Sequence, residues 1–290
     1  MLYCRKRIRE RNYEIIMVVD NSFMIHRIHT FKEVFMLYSG FTHRPFIECD
    51  DETFNDQVYL FTSAAAAQEF AVPYTQNKIL LQAVQIPQEK LDAALKSLYL
   101  YSVNAVVVQD EGAPVTVELD KLAEKPDMDK LEKDVIPRAN PELQLTGLYF
   151  MQELSRPVKR TPEEAKRLQS MEEEMVHNLF HARLIISFDT TDVPGEWNPQ
   201  NKEQQGKVKI PMVQTKDGKF FQPIYTDLTE FKSFNAKTAG RRLQIGPTGY
   251  DYLEKLLVPK AEGVVINPGG FNLRLNRDQL KQMKVRYANV

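Results

Sequence analysis

The chain has 290 residues, 43% of them apolar and 27% charged, with a net charge of −1. This balance matches an ordinary globular protein and excludes a largely disordered chain, a collagen-like repeat and nucleic-acid binding through bulk charge. At about 150 residues per domain, the length suggests two domains.

Cys4 and Cys49 are the only cysteines. They are too few for a cysteine-rich zinc site, and they suit a reducing cytoplasm. No run of about 18 apolar residues occurs, so no helix is expected to span a membrane. In chain order, Arg5, Lys6, Arg7, Arg9 and Arg11 come first, followed by an apolar run over residues 15–19. That run is shorter than the roughly 7–15 residues of a secretion signal. Residues 1–16 therefore read as a solvated basic tail, with Met17 as an alternative start.

A helical stretch is expected over residues 23–38. A first module, residues 17–125, then reads as a strand at 45–48, an acidic turn at 49–56 and a strand at 57–61. Ser63 is suited to cap the helix that follows. Leu91, Leu95 and Leu98 fall on one helical face. Val106, Val107 and Val108 read as a buried strand, and Val115, Val117 and Leu119 alternate as a closing strand. Residues 126–140 have the charged, proline-containing composition of a linker. Two helix starts follow, at Asn140-Pro141 and Thr161-Pro162, each a cap residue before proline. Thr161 and Glu164 also fit a capping box. The second helix should end near His181, and residues 189–206 read as an exposed loop.

The same order of elements then recurs. Strands at 208–213 and 220–225 flank Asp217-Gly218, a strong hairpin signal. Asp227 takes the place of Ser63, residues 250–257 form the amphipathic helix, and Val264, Val265 and Ile266 form the buried strand. The offset between the halves changes only from 164 (61→225) to 158 (106→264). The fold class expected is α/β (α+β): two tandem modules, each a small mixed sheet with packed helices, preceded by helices. The second occupies 141–290, with a core at 207–285. Charge divides unevenly: residues 1–145 hold 16 Lys+Arg against 22 Asp+Glu, and residues 146–290 hold 22 against 17.

Three pieces of the second module carry a family resemblance. They are Lys209-Ile210-Pro211-Met212-Val213, Pro223-Ile224-Tyr225-Thr226-Asp227 and Gly263-Val264-Val265-Ile266-Asn267-Pro268-Gly269. Together they resemble the N-terminal domain of the SseB family. Residues 44–125 resemble it more loosely, because Val108-Gln109-Asp110 lacks the Asn-Pro-Gly turn. The resemblance implies a bacterial, cytoplasmic protein from a family without an established activity, and it carries no catalytic residues over.

No Gly-x-Gly-x-x-Gly, Walker loop, Gly-x-Ser-x-Gly or Cys-x-x-Cys motif is present, and no cofactor is expected. The favoured ligand site is anionic. It combines Arg241 and Arg242 with Thr248 and Gly249, in a Gly246–Gly249 segment leading into a helix. Asn267 and Gly269 follow a buried strand, where open α/β sheets often hold ligands, though a tight turn explains them as well. His177 and His181 share a helix face and are weak metal candidates lacking an obvious third ligand. Trp197 is a candidate partner contact. Asp50-Asp51-Glu52 reads as a solvated hairpin loop.

The functional expectation is a non-catalytic scaffold or regulatory module with an unidentified protein partner, and no nucleic acid or membrane. A sensor or enzyme for a small anion is the alternative. The oligomeric state is open.

Overall fold

The computed structural model describes residues 21–110, 112–236 and 240–287. The basic tail, Cys4 and Met17 lie outside the described residues. The chain divides into two compact units. One holds the described residues up to Asp127 together with Gln144–Met175; the other holds Met128–Leu143 and the described residues from Val176 onward.

In the first unit the order is α1 (Ser22–Ile28), β1 (Glu33–Ser39), β2 (Glu48–Cys49), β3 (Asp56–Phe61), α2 (Ala64–Gln76), β4 (Leu81–Pro87) and α3 (Gln88–Leu98). β5 (Ala105–Gln109), β6 (Val115–Glu118) and the single turn α4 (Leu119–Leu122) follow. The sheet runs β4-β1-β3-β5-β6, with β2 also on β3. β3 and β5 are parallel and every other pairing is antiparallel.

α5 (Met128–Lys133) forms a helix inside the stretch expected to be linker. α6 (Pro141–Leu154) and α7 (Pro162–His181) begin at the two expected prolines. The Thr161 capping box is present: the Thr161 amide donates to Glu164 Oε2 at 2.8 Å, and the Glu164 amide to Thr161 Oγ1 at 3.2 Å.

The second unit contains β7 (Arg183–Asp189), α8 (Lys202–Gln205), β8 (Val213–Gln214), β9 (Phe220–Tyr225), α9 (Leu228–Asn235) and β10 (Leu243–Gly249). It ends with α10 (Tyr250–Leu256), β11 (Gly263–Ile266), β12 (Leu273–Asn276) and α11 (Arg277–Tyr287). Its sheet runs β10-β7-β9-β11-β12, with β8 on β9. This is the topology of the first sheet, and the register is the same. Glu33 opposite Pro87 opens a seven-residue ladder in one unit, as Arg183 opposite Gly249 does in the other.

The cores follow from the apolar runs. Val264, Val265 and Ile266 are at most 1% exposed, and each such burial is worth about 1.5–3 kcal/mol. Leu91, Leu95 and Leu98 turn one face of α3 inward, and Tyr250 and Leu253 do the same for α10. Gly263 begins β11 because a Cβ there would lie 2.0 Å from the Leu275 carbonyl oxygen.

Pro223, inside a central strand, also has a local reason. On the side of β9 away from β11, pairing switches from β8 at Phe220 and Phe221 to β7 at Ile224 and Tyr225. Pro223 falls in that gap, where a missing N–H leaves no ladder bond unmade.

One expectation is corrected outright. Residues 23–38 are not one helix: α1 stops at Ile28, and Glu33–Ser39 is a strand between β3 and β4. Its Val34, Met36 and Leu37 are buried in the sheet, and long-range pairing overrides local helix propensity. β4, β7 and β10 were likewise not foreseen as strands.

Candidate functional site

The polar side chains gather most densely at the turn that ends β9 and β11. β9 runs out at Tyr225, and Asp227 caps α9 by accepting from the Thr229 amide at 2.9 Å and the Glu230 amide at 3.0 Å. Its other carboxyl oxygen accepts from the Thr226 hydroxyl at 2.8 Å. From the neighbouring strand, Asn267 Oδ1 accepts from the Thr226 amide at 2.9 Å, and Asn267 Nδ2 donates to Thr226 Oγ1 at 2.8 Å.

Asn267 is fully buried at φ 47°. Among ordinary residues, asparagine tolerates this left-handed backbone best. Its carbonyl accepts from the Gly270 and Asn272 amides, which closes the Asn-Pro-Gly-Gly turn. Gly269 packs on Phe234, and a Cβ at Gly270 would meet Glu230 Oε2 at 2.8 Å. The arrangement locks two strand ends and a helix start together. Each of these hydrogen bonds ends on another protein group, so the chemistry visible here is positional.

The other expected residues fall elsewhere. Gly246–Gly249 does lead into α10, but as part of β10, paired residue by residue with β7. Gly249 does cap α10, a helix of only seven residues, without a side-chain bond. Thr248 Oγ1 reaches only the Gly249 carbonyl, at 3.5 Å. Arg242 holds its own loop: Nη1 donates to the Gly195 carbonyl at 3.0 Å, and Nη2 to the carbonyls of Thr191, at 3.0 Å, and Val193. Arg241 faces Asp189 at 3.9 Å. Burial tends to raise the Asp189 carboxyl, but the Thr191 hydroxyl and amide, with Arg241, bring it below the usual range. The expected anion cradle is therefore not assembled, because its backbone is in a sheet and its better guanidinium is engaged by carbonyls.

His177 and His181 do share a face, with ring centroids 4.6 Å apart, and His181 Nδ1 lies 2.8 Å from the His177 carbonyl oxygen. Among the described residues no cluster of three metal-ligating side chains includes them. Trp197 is half-buried in the loop before α8. Asp50 closes its acidic turn by accepting from the amides of Glu52 and Thr53 and from the Thr53 hydroxyl. The Thr53 amide leads these in holding its carboxyl below the usual range.

A second polar cluster, in the first unit, was not anticipated. Glu48 Oε2 accepts from the Tyr59 and Tyr74 hydroxyls, both at 2.7 Å. Nearby, the Tyr149 hydroxyl donates to Asp56 Oδ1 at 2.7 Å. Burial, reinforced by Glu48, pushes the Tyr59 and Tyr74 phenols far up, and burial with Asp56 does the same to Tyr149. Burial also raises Asp56, against the Tyr149 hydrogen bond. These phenols remain protonated donors.

Phe70 and Tyr74 stack at 5.5 Å, and Phe46 meets the edge of Tyr74 at 5.1 Å. Above this floor, the outer face of α2 presents a shallow groove of about 410 Å³ lined by Glu69, Phe70, Pro73, Tyr74 and Asn77. The available signal was the i, i+4 aromatic pair Phe70/Tyr74. Glu48 and Tyr149 are too distant in sequence to be paired by any local pattern.

With this geometry in place, comparison with known proteins assigns part of the chain. Residues 163–282 match the SseB protein N-terminal domain. The SseB-like stretch takes in nearly all of α7, the whole second sheet and the start of α11. The turn residues Thr226, Asp227, Asn267 and Gly269 all lie inside it. The match does not extend to the first sheet, although that sheet has the same strand order.

Two solved structures are similar over most of the chain. Tic22 from Plasmodium falciparum is 11% identical, covering 92% of this chain and 99% of that one, with a TM-score of 0.20. Anabaena Tic22, described as a protein-transport protein, is 8% identical, covering 79% and 82%, also with a TM-score of 0.20. At that level neither ties a residue of this chain to a role. No curated protein matches the chain.

Proposed function

We propose that the chain is a non-catalytic protein-interaction module whose partner docks on the outer face of α2. The observation that carries this reading is the groove itself. It is lined by aromatic and aliphatic surface on one helix, whose Val72, three residues from Glu69, is 50% exposed. Its floor is fixed by the phenol bonds to Glu48, so little ordering cost remains on binding. Glu69 on the rim favours a partner segment that carries an apolar anchor beside a basic side chain. We place the contact here in preference to Trp197, which is half-buried.

Replacing Val72 with a photo-crosslinking residue tests this in the native source. One cross-linked species, lost when Pro73 is changed to Glu and absent from a probe at Glu52, supports the reading. Equal labelling from both probes removes it.

We place the protein in a bacterial cytoplasm, following the cysteine count and the family resemblance. Among the described residues no helix is long and apolar enough to cross a membrane. Rapid alkylation of protein from its native source decides the matter: a labelled Cys49 supports the cytoplasm, and an unlabelled one moves the protein elsewhere.

A further inference from the structure

The two sheets share a frame, and comparing their edges shows where they differ. In the first unit, Gln88 donates to the Lys32 carbonyl and Gly40 to the Leu80 carbonyl. With the β1–β4 register and the alternation of antiparallel ladders, this directs the backbone groups of Leu81, Ala83 and Gln85 away from the sheet. No described residue bonds those outward groups. In the second unit, Thr190 donates to the Arg242 carbonyl, so the same alternation on β10 turns Leu243, Ile245 and Pro247 outward.

Pro247 thus occupies the position of Gln85 and removes a donor from the edge, a recognised way of preventing strand addition. Each of the remaining edges is blunted too. β6 carries Glu118, and Asn21 donates to its Thr116 carbonyl at 2.5 Å. β12 carries Arg274. β4, Leu-Gln-Ala-Val-Gln-Ile-Pro, has no charge and no proline before its last residue.

We infer that β4 is a homodimerisation edge, pairing antiparallel with β4 of a second copy of this chain. A two-fold axis through Ala83 places Leu81 opposite Gln85 of the second copy, and Ala83 opposite its own mate. The outward groups of all three residues then find partners. The same axis sets Leu80, 51% exposed, opposite Ile86 of the second copy. Self-pairing brings each charge against a symmetric copy of the strand, so it favours an edge without charge. β4 meets that condition, and Pro87 ends the ladder on each side.

Light scattering of the full chain measures the mass, with circular dichroism as a check on folding. The expected result is twice 33.6 kDa for the wild type and a monomer for Gln85→Pro, which copies the second unit at a position whose N–H the fold does not use. Leu80→Asp, which leaves the backbone unchanged, should also give a monomer. A monomeric wild type overturns the inference, as does a dimer that survives both substitutions. A monomeric wild type whose α2 partner is lost in Gln85→Pro also overturns it and assigns the edge to a foreign strand. The α2 reading fails separately, through the Val72 probe.

Discussion

Replacing Asn267 tests whether the turn between β9 and β11 holds the second unit together. Asn267→Ala removes both side-chain bonds to Thr226 and leaves the Thr226 amide buried without an acceptor, which costs about 1–3 kcal/mol. It also places an alanine at φ 47°, adding about 1 kcal/mol of left-handed strain. The expected loss is therefore about 2–4 kcal/mol, a large share of the stability of a unit this size. Asn267→Gly loses the same bonds without the strain, so it should fall short of alanine by about 1 kcal/mol. Urea unfolding followed by tryptophan emission reads this selectively, because Trp197 is the only tryptophan and lies in the second unit. An alanine variant within about 0.5 kcal/mol of the wild type would refute the structural role assigned to the turn. Alanine and glycine variants of equal stability would refute the strain component.

Four further outcomes follow from the same geometry. Gly263→Ala should prevent stable folding of the second unit, because its Cβ would overlap the Leu275 carbonyl. Gly249→Ala, with nothing within 4 Å and an ordinary φ of −133°, should be neutral or gain about 0.5 kcal/mol; soluble yield and urea midpoints separate the two. Burial raises the folded-state pKa of Asp56 above its unfolded value, so the folded form binds the proton more tightly. The Asp56 contribution to stability is then fully present below the unfolded pKa and declines as pH rises through the folded one. Asn at this position should therefore gain on the wild type from acid to neutral pH in matched denaturation series, and a difference independent of pH would show that Asp56 does not titrate between those states. Arg242→Ala releases three loop carbonyls, so limited proteolysis should cut faster within residues 190–206 while the first unit stays intact.

Much of the fold was legible where the signal was local. Caps at Ser63, Thr161 and Asp227 and prolines at 141 and 162 set helix starts through contacts within one turn. The valine-rich runs at 106–108 and 264–266 announced buried strands by composition alone. β1, β4, β7 and β10 escaped because what makes them strands is their partner. Glu33–Ser39 pairs with β3 and β4, more than 20 residues away, and Leu243–Gly249 contains two glycines and a proline that read locally as a loop. The expected anion cradle is not assembled for the same reason. Arg241, Arg242 and a glycine-rich segment suggested a cradle, but the ladder with β7 took up the backbone and the 191–195 carbonyls took up the guanidinium. Asn267 stood out in the sequence as a candidate ligand residue, and its structural partner Thr226 became visible only once the two strands lay side by side.

The two units show what changes when the frame stays fixed. Thr62 and Gln109 occupy the places of Thr226 and Asn267. In the first unit the Thr62 amide reaches the Gln109 main-chain carbonyl at 3.3 Å, and β5 simply runs one residue longer. In the second unit the strand stops at Ile266, Asn267 turns left-handed, and its side chain supplies the acceptor at 2.9 Å. A side chain thus replaces a main-chain group at the same amide, and the turn it frees is the one that the SseB match contains. The first unit instead has polar pairs toward the start of β3, where Glu48 holds Tyr59 and Tyr74 of α2, and Asp56 holds Tyr149. The frame needs one acceptor at the end of the central strand and accepts it from either source. The unit whose main chain supplies that acceptor is also the one with an aromatic floor beneath an exposed groove and an unblunted edge strand. On the reading proposed above, loss of partner binding should track substitutions in α2 more closely than substitutions in the Asn-Pro-Gly turn that leave the second unit folded.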